Sequence, residues 1–239
     1  MRPISASITT PPSPPSPSRS SPVTATHAPL SEGSILQYNC NGIQNSHQEI
    51  LSLLHSRHVL IACLQETKLG PNSTLRDFPD YITIRRDRPN ITGPNGGGLI
   101  TLVHHSIPYI PLPTDHYFTQ DVSTEHLAIT ATINGHPVNI FNIYIPPTSS
   151  CPPRFSPALE VFRSQGDSLF LGDYNAHHPS WYSSSSSSRA EERGAEILEA
   201  ITDAGLALLN GDSPTRLPSH GTPSSPDLSI ATPHLAIDS

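Results

Sequence analysis

Residues 168–181 have the sequence SLFLGDYNAHHPSW, in which a short apolar run leads into Gly172-Asp173-Tyr174-Asn175. The run Ser168–Leu171 has the length and composition of a buried strand. The glycine, acid and amide that follow indicate either a tight turn, since Asp and Asn favour turns, or a polar site at the end of a strand. The motif alone does not separate these two interpretations.

Patterns typical of strands and helices alternate around this motif. Apolar residues at helical spacing predict one helix from Ile43 to Leu54 and another from Arg189 to Ala204, which Gly205 ends. Asn134-Gly135 is a favoured hairpin turn. Strands are predicted at Ile35–Asn39, Val59–Gln65, Tyr81–Ile84, Gly98–His104, Glu125–Ile133, His136–Ile145, Ser168–Leu171 and Asp227–Ala231. This order predicts an α/β sandwich of mixed β-sheets with helices outside.

Composition divides the chain into a tail and a domain. Residues 1–33 are dominated by Pro, Ser and Thr, and such a segment cannot bury enough apolar area to offset its ordering entropy. We therefore predict a disordered tail over 1–33 and one folded domain over 34–239. Two low-complexity stretches, Thr148–Pro157 and Ser183–Ser188, are predicted to be surface loops.

The charge balance limits the ways in which the protein can bind nucleic acid. The 239 residues carry a formal net charge of −7 and a pI near 6.0, which argues against DNA binding through a broad basic surface. It is compatible with an enzyme that gathers carboxylates around a metal ion. The densest basic cluster, Arg85, Arg86 and Arg88, is either a solvated loop or a contact to phosphates.

The cysteines and the apolar runs bear on location. Cys40, Cys63 and Cys151 are odd in number and form no C-x-x-C motif, so a disulfide framework or zinc site is not expected. Cys40 and Cys63 lie in apolar runs and are predicted to be buried, reduced thiols. The longest apolar run, Val59–Leu64, is far shorter than a membrane span, and no signal-peptide stretch is found. We expect a soluble, intracellular protein.

Polar residues at or after several predicted strands are candidates for phosphate chemistry. Hydrolysis of a phosphodiester needs a metal ion, a group that activates water and donors that hold the phosphate. Glu66 is a hard oxygen ligand that suits Mg²⁺, and Asp173 is placed to orient or deprotonate water. Amide donors and a phenol complete the set: Asn39, Asn175 and Tyr144.

Simpler interpretations exist for each candidate. A glutamate after a strand is usually a surface residue. Gly96-Gly97-Gly98 is first a flexible loop, because no lysine and helix start follow it as in a phosphate-binding loop. His177 and His178 are adjacent and do not share a face, which disfavours joint metal ligation.

Taken together, the motifs resemble the endonuclease/exonuclease/phosphatase family. In chain order they are QYNCNG, CLQETK, GGGLITLV, FNIYIPP, LGDYNAHHPSW and SSPDLSI. Within the family they look most like the apurinic-type endonuclease domain of jockey-like non-LTR retrotransposons. The resemblance runs from about Ile35 to Leu235. It implies a DNase I-like fold, which is a four-layer sandwich of two mixed β-sheets flanked by helices.

The resemblance also implies a role for each matching residue. Glu66 would be the metal-binding glutamate and Asn41 would stand on the metal side, with Mg²⁺, or alternatively Mn²⁺, as the cofactor. Asp173 would handle water, and Asp227 would orient a final histidine. Phosphate or transition-state contacts would come from Asn39, Tyr144 and Asn175, and rim support from His178, Pro179 and Trp181. DNA would be the substrate, the nucleus the location, and a nick with a free 3′-hydroxyl the product.

One departure from the family pattern concerns the C-terminal end. Family members carry a Ser-Asp-His motif on a last strand well beyond the position of Asp227, whereas this sequence ends at Ser239 without it. We therefore expect the final catalytic histidine and one strand to be missing and the activity to be impaired or lost. Two alternatives stay open: a phosphatase or phospholipase of the same superfamily, and a non-catalytic remnant that acts as a binding module.

Overall fold

The structure is a computed structural model that describes residues 33–87, 96–118, 123–153, 155–185, 187–218 and 222–236. The predicted tail, apart from Gly33, and Arg88 lie outside the described residues. The strands are β1 Ser34–Asn39, β2 Val59–Gln65, β3 Tyr81–Arg86, β4 Leu99–His104, β5 Tyr109–Pro111, β6 Glu125–Ile133, β7 His136–Tyr144, β8 Ser168–Asp173, β9 Ala207–Leu208 and β10 Asp227–Ala231. The helices are α1 Ile43–Ser56, α2 Ser188–Asp203 and α3 Pro233–Ala236.

These strands form two mixed sheets. A four-stranded sheet has the order β1-β2-β4-β3, and a six-stranded sheet has the order β5-β6-β7-β8-β10-β9. The pairs β1/β2 and β7/β8 are parallel, while β10 runs antiparallel to β8. The ends of β1 and β2 therefore share one edge of the first sheet. The ends of β7 and β8 meet the start of β10 at one edge of the second.

The strands alternate their apolar residues between two faces, and this produces four layers. Ala62 and Leu64 of β2 pack with α1, whereas Ile61 and Cys63 belong to the core that also contains Ile140 of β7. On the far face of the second sheet, α2 contributes buried residues to a cluster with β7, β8 and β10. The order of layers is therefore helix, sheet, sheet, helix. This confirms the predicted DNase I-like sandwich.

Most predicted bounds match the structure, and β2, β6 and β10 match at both ends. The prediction was wrong for β8, which runs on through Gly172 and Asp173 instead of ending at Leu171. Asp173 lies in register with Tyr144 on one side and Asp227 on the other, so pairing from both neighbours extends the strand. The two unpredicted strands, β5 and β9, are short outer strands of three and two residues.

Burial separates the cysteines and corrects one loop prediction. Cys40 and Cys63 are buried free thiols, as predicted, and Cys151 is partly exposed. Ser183 was predicted to lie in a surface loop but is buried, because its hydroxyl accepts a hydrogen bond from the Ser225 N–H at 2.9 Å and bonds the ring of His177 at 2.8 Å. In the described part of the chain, no helix has the length and apolar character needed to cross a membrane.

Candidate active site

The strand ends of both sheets bring the predicted residues to one cavity of about 500 Å³. The first sheet supplies residues at and after the ends of β1 and β2, and the second supplies residues from β8, the loop after it and β10. Six of the seven predicted residues line the cavity: Asn39, Asn41, Glu66, Asp173, Asn175 and Asp227. The seventh, Tyr144, is buried at the end of β7 and reaches Glu66 through its hydroxyl.

Asn39 joins the two sheets at the base of this cavity. Its Nδ2 donates to Asp173 Oδ2 at 2.7 Å and to Glu66 Oε1 at 3.2 Å. The same Glu66 oxygen accepts a hydrogen bond from the Tyr144 hydroxyl at 3.0 Å. One amide and one phenol therefore fix the Glu66 carboxylate through Oε1. Its other oxygen, Oε2, faces the ammonium group of Lys68.

Three of the cavity residues have left-handed backbone conformations. The φ angles are 45° at Asn41, 51° at Glu66 and 45° at Asn175. Such angles are uncommon outside glycine, and strain of this kind costs roughly 1–3 kcal/mol per residue and is retained where surrounding contacts enforce it. At Asn175 the backbone N–H donates to Asp173 Oδ1 at 2.9 Å and the side-chain Nδ2 donates to the Ile145 carbonyl at 3.0 Å. These bonds hold the turn after β8 in a single conformation.

The two aspartates of the second sheet have perturbed acidities. Burial and, second, the nearby Asp227 carboxylate raise the pKa of Asp173 to about 7, against the lowering effect of the hydrogen bonds from Asn39 and the Asn175 backbone. Burial also raises the pKa of Asp227, although hydrogen bonds from Thr215 and Gln37 oppose this. An acid with a pKa near 7 exchanges protons readily at neutral pH, which is the property required of a general base.

Both carboxylate oxygens of Asp227 accept hydrogen bonds within the protein. Gln37 Nε2 donates to Oδ1 at 2.8 Å, and Thr215 Oγ1 donates to Oδ2 at 2.6 Å. By resemblance this carboxylate would orient a histidine. Among the described residues that line the cavity, none is a histidine. In this chain a glutamine and a threonine therefore orient the carboxylate.

A buried chain of amides determines how Gln37 meets Asp227. Asn142 Nδ2 donates to the Ile100 carbonyl at 3.0 Å, and a carbonyl only accepts, so the Asn142 oxygen must face Gln65. Gln65 Nε2 donates to that oxygen at 2.7 Å, and its own Oε1 accepts from Gln37 Nε2 at 2.8 Å. The orientation of each amide fixes the next one, and Gln37 presents an N–H to Asp227. Sequence reasoning missed this chain, although polar residues inside buried strands were a usable signal.

The oxygen atoms of Glu66 and Asn41 are ligands that suit a hard divalent cation. Lys68 Nζ donates to Asn41 Oδ1 and lies 3.8 Å from Glu66 Oε2, so a carboxylate oxygen and an amide oxygen face the same cationic group. Mg²⁺ prefers such oxygen ligands and commonly takes one or two carboxylates while keeping several waters. Within the described ranges no group of three or more His, Cys, Asp or Glu side chains is arranged to hold a metal.

The histidines and glycines considered from the sequence serve local structure. The His177 ring bonds Ser183, and the His178 ring accepts from the Ser180 N–H at 3.1 Å at the start of a short 3-10 helix. Trp181, in that helix, is fully buried. The carbonyls of Gly97 and Gly98 accept hydrogen bonds from the backbone of Lys68 and Thr67 and so brace the loop after Glu66.

The basic residues at the cavity differ from the cluster identified in the sequence. Arg85 donates to Asp87 at 2.6 Å, and Arg86 donates to the His126 carbonyl at 2.9 Å, so both serve internal contacts. The cations beside the cavity are Lys68, which lies in the QETK motif, and Arg216, which lines it. Arg216 lies in a loop without periodicity, and the sequence offered no signal for it.

Two stacked mixed sheets whose strand ends gather acids and amides at one cavity define a DNase I-like fold. Comparison with known proteins agrees. A family model described as endonuclease-reverse transcriptase matches residues 138–239. The chain is 27% identical over 204 residues to the probable RNA-directed DNA polymerase from transposon BS of Drosophila melanogaster, covering 82% of this chain and 21% of that protein. The chain thus spans about a fifth of the length of this curated relative.

Solved structures show the same fold. The endonuclease domain of TRAS1, a telomere-specific non-LTR retrotransposon, superposes with a TM-score of 0.62 at 20% identity and covers 85% of this chain and 86% of its own. The AP endonuclease LMAP from Leishmania major superposes with a TM-score of 0.64 at 13% identity and covers 85% and 80%. These structures show the DNase I-like fold, and together with the family model and the transposon relative they confirm the predicted resemblance.

Proposed function

We propose that this domain is a Mg²⁺-dependent DNA endonuclease that cuts one strand of duplex DNA, as a retrotransposon endonuclease would. The observation that carries the proposal is the hydrogen-bonded set in which Asn39 links Glu66 of one sheet to Asp173 of the other at a single cavity. A site built from both sheets holds its acids and amides at fixed distances without a ligand, and such preorganisation is what phosphoryl transfer requires. The similarity to a transposon polymerase supports DNA as the substrate and hence the nucleus as the location.

The cation would be held by Glu66 and Asn41, with Mn²⁺ as the alternative to Mg²⁺. When bound, the metal neutralises charge on the phosphoryl oxygens. Lys68 contacts both of these residues and would have to give way to the metal or share the position with it. This competition predicts modest rather than tight metal affinity.

The remaining side chains of this chain would act on water and on the phosphate. Asp173 takes a proton from the attacking water, whose oxygen bonds to phosphorus while the bond from phosphorus to the 3′ oxygen breaks. The departing 3′ oxygen takes a proton from solvent water, and Asp173 returns its proton to solvent. Asn175 holds the phosphate through the Nδ2 N–H that does not bond the Ile145 carbonyl. Asn39 keeps its two Nδ2 N–H groups on Glu66 and Asp173, and the Tyr144 hydroxyl also fixes Glu66. The products are a 3′-hydroxyl and a 5′-phosphate.

We expect slow turnover for the 239-residue chain. Asp227 is engaged by Gln37 and Thr215 rather than by a histidine of the described cavity lining. In the family pattern that imidazole supplies one donor that stabilises the transition state, and removal of one such donor typically lowers a rate about 10²–10³-fold.

Nicking of supercoiled plasmid tests the proposal. The purified chain is incubated with plasmid over a Mg²⁺ titration, and conversion to open circle is followed alongside Glu66→Ala and a matched exposed control on α2, Glu199→Ala. We expect slow, Mg²⁺-dependent nicking that Glu66→Ala abolishes and Glu199→Ala leaves unchanged. Nicking that persists in Glu66→Ala would contradict the assignment of the site. Fast nicking that is lost in Glu66→Ala would support the site and refute the expectation of slow turnover.

The two alternative functions give different results in the same preparation. Hydrolysis of phosphate monoesters or sphingomyelin without any action on DNA would favour a phosphatase or phospholipase. Calorimetry that finds no Mg²⁺ binding to a folded chain, together with no hydrolysis, would favour a binding module.

A further inference from the structure

Arg193 is a buried cation on α2 that none of the roles above uses. Its residue is 5% exposed, and its Nη1 donates to three main-chain carbonyls: Pro146 at 2.8 Å, Tyr174 at 3.2 Å and Asn175 at 3.2 Å. Its Nη2 donates to Cys151 Sγ at 3.4 Å. A buried charge is costly unless hydrogen-bonded, and here main-chain carbonyl dipoles supply much of the compensation.

The three carbonyls belong to the two segments that leave the active strands. Pro146 comes two residues after Tyr144, the last residue of β7, while Tyr174 and Asn175 directly follow Asp173, the last residue of β8. A single guanidinium therefore connects the ends of both strands behind the cavity. The Asn175 carbonyl comes from a residue with φ of 45°, and its bond to Arg193 is one of the contacts that hold this strained turn.

The backbone of α2 lies unusually close to the loop after β8. A Cβ added at Gly194 would lie 2.0 Å from the His177 carbonyl oxygen, so this close approach requires glycine. The His177 N–H donates to the Ala190 carbonyl of the same helix at 3.1 Å. These contacts fix the position of the helix, and through it the position of the Arg193 guanidinium.

We infer that Arg193 is a positioning residue that locks the ends of β7 and β8 in the geometry required by Tyr144, Asp173 and Asn175. Arginine suits this role because its planar group offers several N–H donors in fixed directions, whereas lysine offers a point charge that cannot reproduce the pattern. The kinetic consequence rests on the proposed function, but the structural consequence does not.

The test compares Arg193→Lys and Arg193→Met with the same changes at Arg189, an exposed arginine one turn earlier on α2. Amide hydrogen exchange by NMR is read at Ile145, Tyr174 and His177, whose N–H groups bond the Asp173, Pro226 and Ala190 carbonyls. The internal reference is the amide of Ile140, in the middle of β7. Plasmid nicking is measured in parallel for kcat and KM.

We expect exchange at the three reporter amides to accelerate at least about tenfold relative to Ile140 in both Arg193 variants, because the hydrogen bonds that the charged guanidinium donates to these segments are lost or weakened. The kcat should fall by a larger factor than KM rises, because the alignment of Asp173 is lost while the Asn175 side chain can still reach the phosphate. Unchanged exchange, or equal acceleration at Ile140 and the reporters, would overturn the inference and leave Arg193 a general stabiliser. If the wild-type protein does not nick DNA, the proposed function fails, but the exchange result still decides the role of Arg193. If Arg193→Met does not fold, the comparison is made with Arg193→Lys alone.

Discussion

At the scale of single residues, Asp173 has the most unusual electrostatic environment among the residues assigned to the site. It is 5% exposed, lies in register with Asp227 and is bonded to Asn39, and burial with the Asp227 charge raises its pKa to about 7. Keeping such an acid costs stability whenever it is ionised. The protein retains a destabilising carboxylate where the proposed chemistry needs a base.

The raised pKa of Asp173 predicts a pH dependence of stability. The folded state binds the Asp173 proton more tightly than the unfolded state does. Protonation of Asp173 therefore contributes its full amount to the free energy of unfolding below about pH 4, and this contribution is lost as the pH rises through about 7. We expect the difference in free energy of unfolding between wild type and Asp173→Asn to change over this window by a few kcal/mol, with wild type relatively weaker at high pH. Urea unfolding across the range measures it. The control is Asp212→Asn, which makes the same change in net charge at an exposed position. If the difference in free energy of unfolding between wild type and Asp173→Asn does not depend on pH, the raised pKa of Asp173 is refuted.

At the scale of elements, the backbone of β7 lies directly against Gly172 of β8. A Cβ there would lie 1.9 Å from the Ile143 carbonyl oxygen and 2.8 Å from its carbon, so the contact involves backbone that cannot rotate away. One residue further along each strand are Tyr144 and Asp173, which face each other in register. The glycine of the LGDYN motif thus sets the spacing of two residues assigned to the site.

Substitution of Gly172 by alanine should therefore push β7 and β8 apart. We expect Gly172→Ala to lower the free energy of unfolding by about 3 kcal/mol, the upper range for overpacking. Gly211→Ala, where an added Cβ meets no atom within 4 Å, should change it by less than about 0.5 kcal/mol. Urea denaturation with both variants measures the difference, and equal small effects would show that the strands relax without cost.

At the scale of the whole molecule, the negative net charge disfavours DNA binding through a broad surface. The net charge is −7, and Arg85 and Arg86 are committed to internal contacts. Arg216 is exposed and lines the cavity, and its backbone is fixed by reciprocal hydrogen bonds with Ser224 at 2.9 and 3.1 Å. We therefore expect a DNA contact confined to the region around the cavity.

This confinement predicts a weak dependence of DNA affinity on salt. Arg216→Gln should reduce the magnitude of the slope of log K against log salt by about 1, as removal of one phosphate contact does. Arg57→Gln, an exposed change directly after α1 and so beside the start of β2, should leave the slope unchanged. Fluorescence anisotropy with labelled duplex over a salt series measures both. Equal slopes for Arg216→Gln and wild type would exclude a phosphate contact at Arg216.

The sandwich and half of the described residues that line its cavity could be predicted from the sequence alone. Local patterns suffice for this, because the buried run Val59–Gln65 and the Asn134-Gly135 turn specify their strands from near neighbours alone. The ordered motifs then supplied Asn39, Glu66, Asp173 and Asp227, since the ends of parallel strands and the start of an antiparallel neighbour lie at the same edge of a sheet. The role of each residue is still to be tested by experiment.

The hydrogen-bond partners of those residues could not be predicted from the sequence and follow from the folded structure. Gln37 and Thr215 meet at Asp227 although 178 positions separate them (215 − 37), and no local pattern encodes a contact between such distant segments. Arg193 lies on the same face of α2 as Ala190 and Ile197, but its charge alone would predict an exposed side chain. In the folded chain its guanidinium is buried because it donates hydrogen bonds to the carbonyls of Pro146 and Asn175. Hydrogen-bond partners are chosen by packing, and packing is known only once the chain is folded.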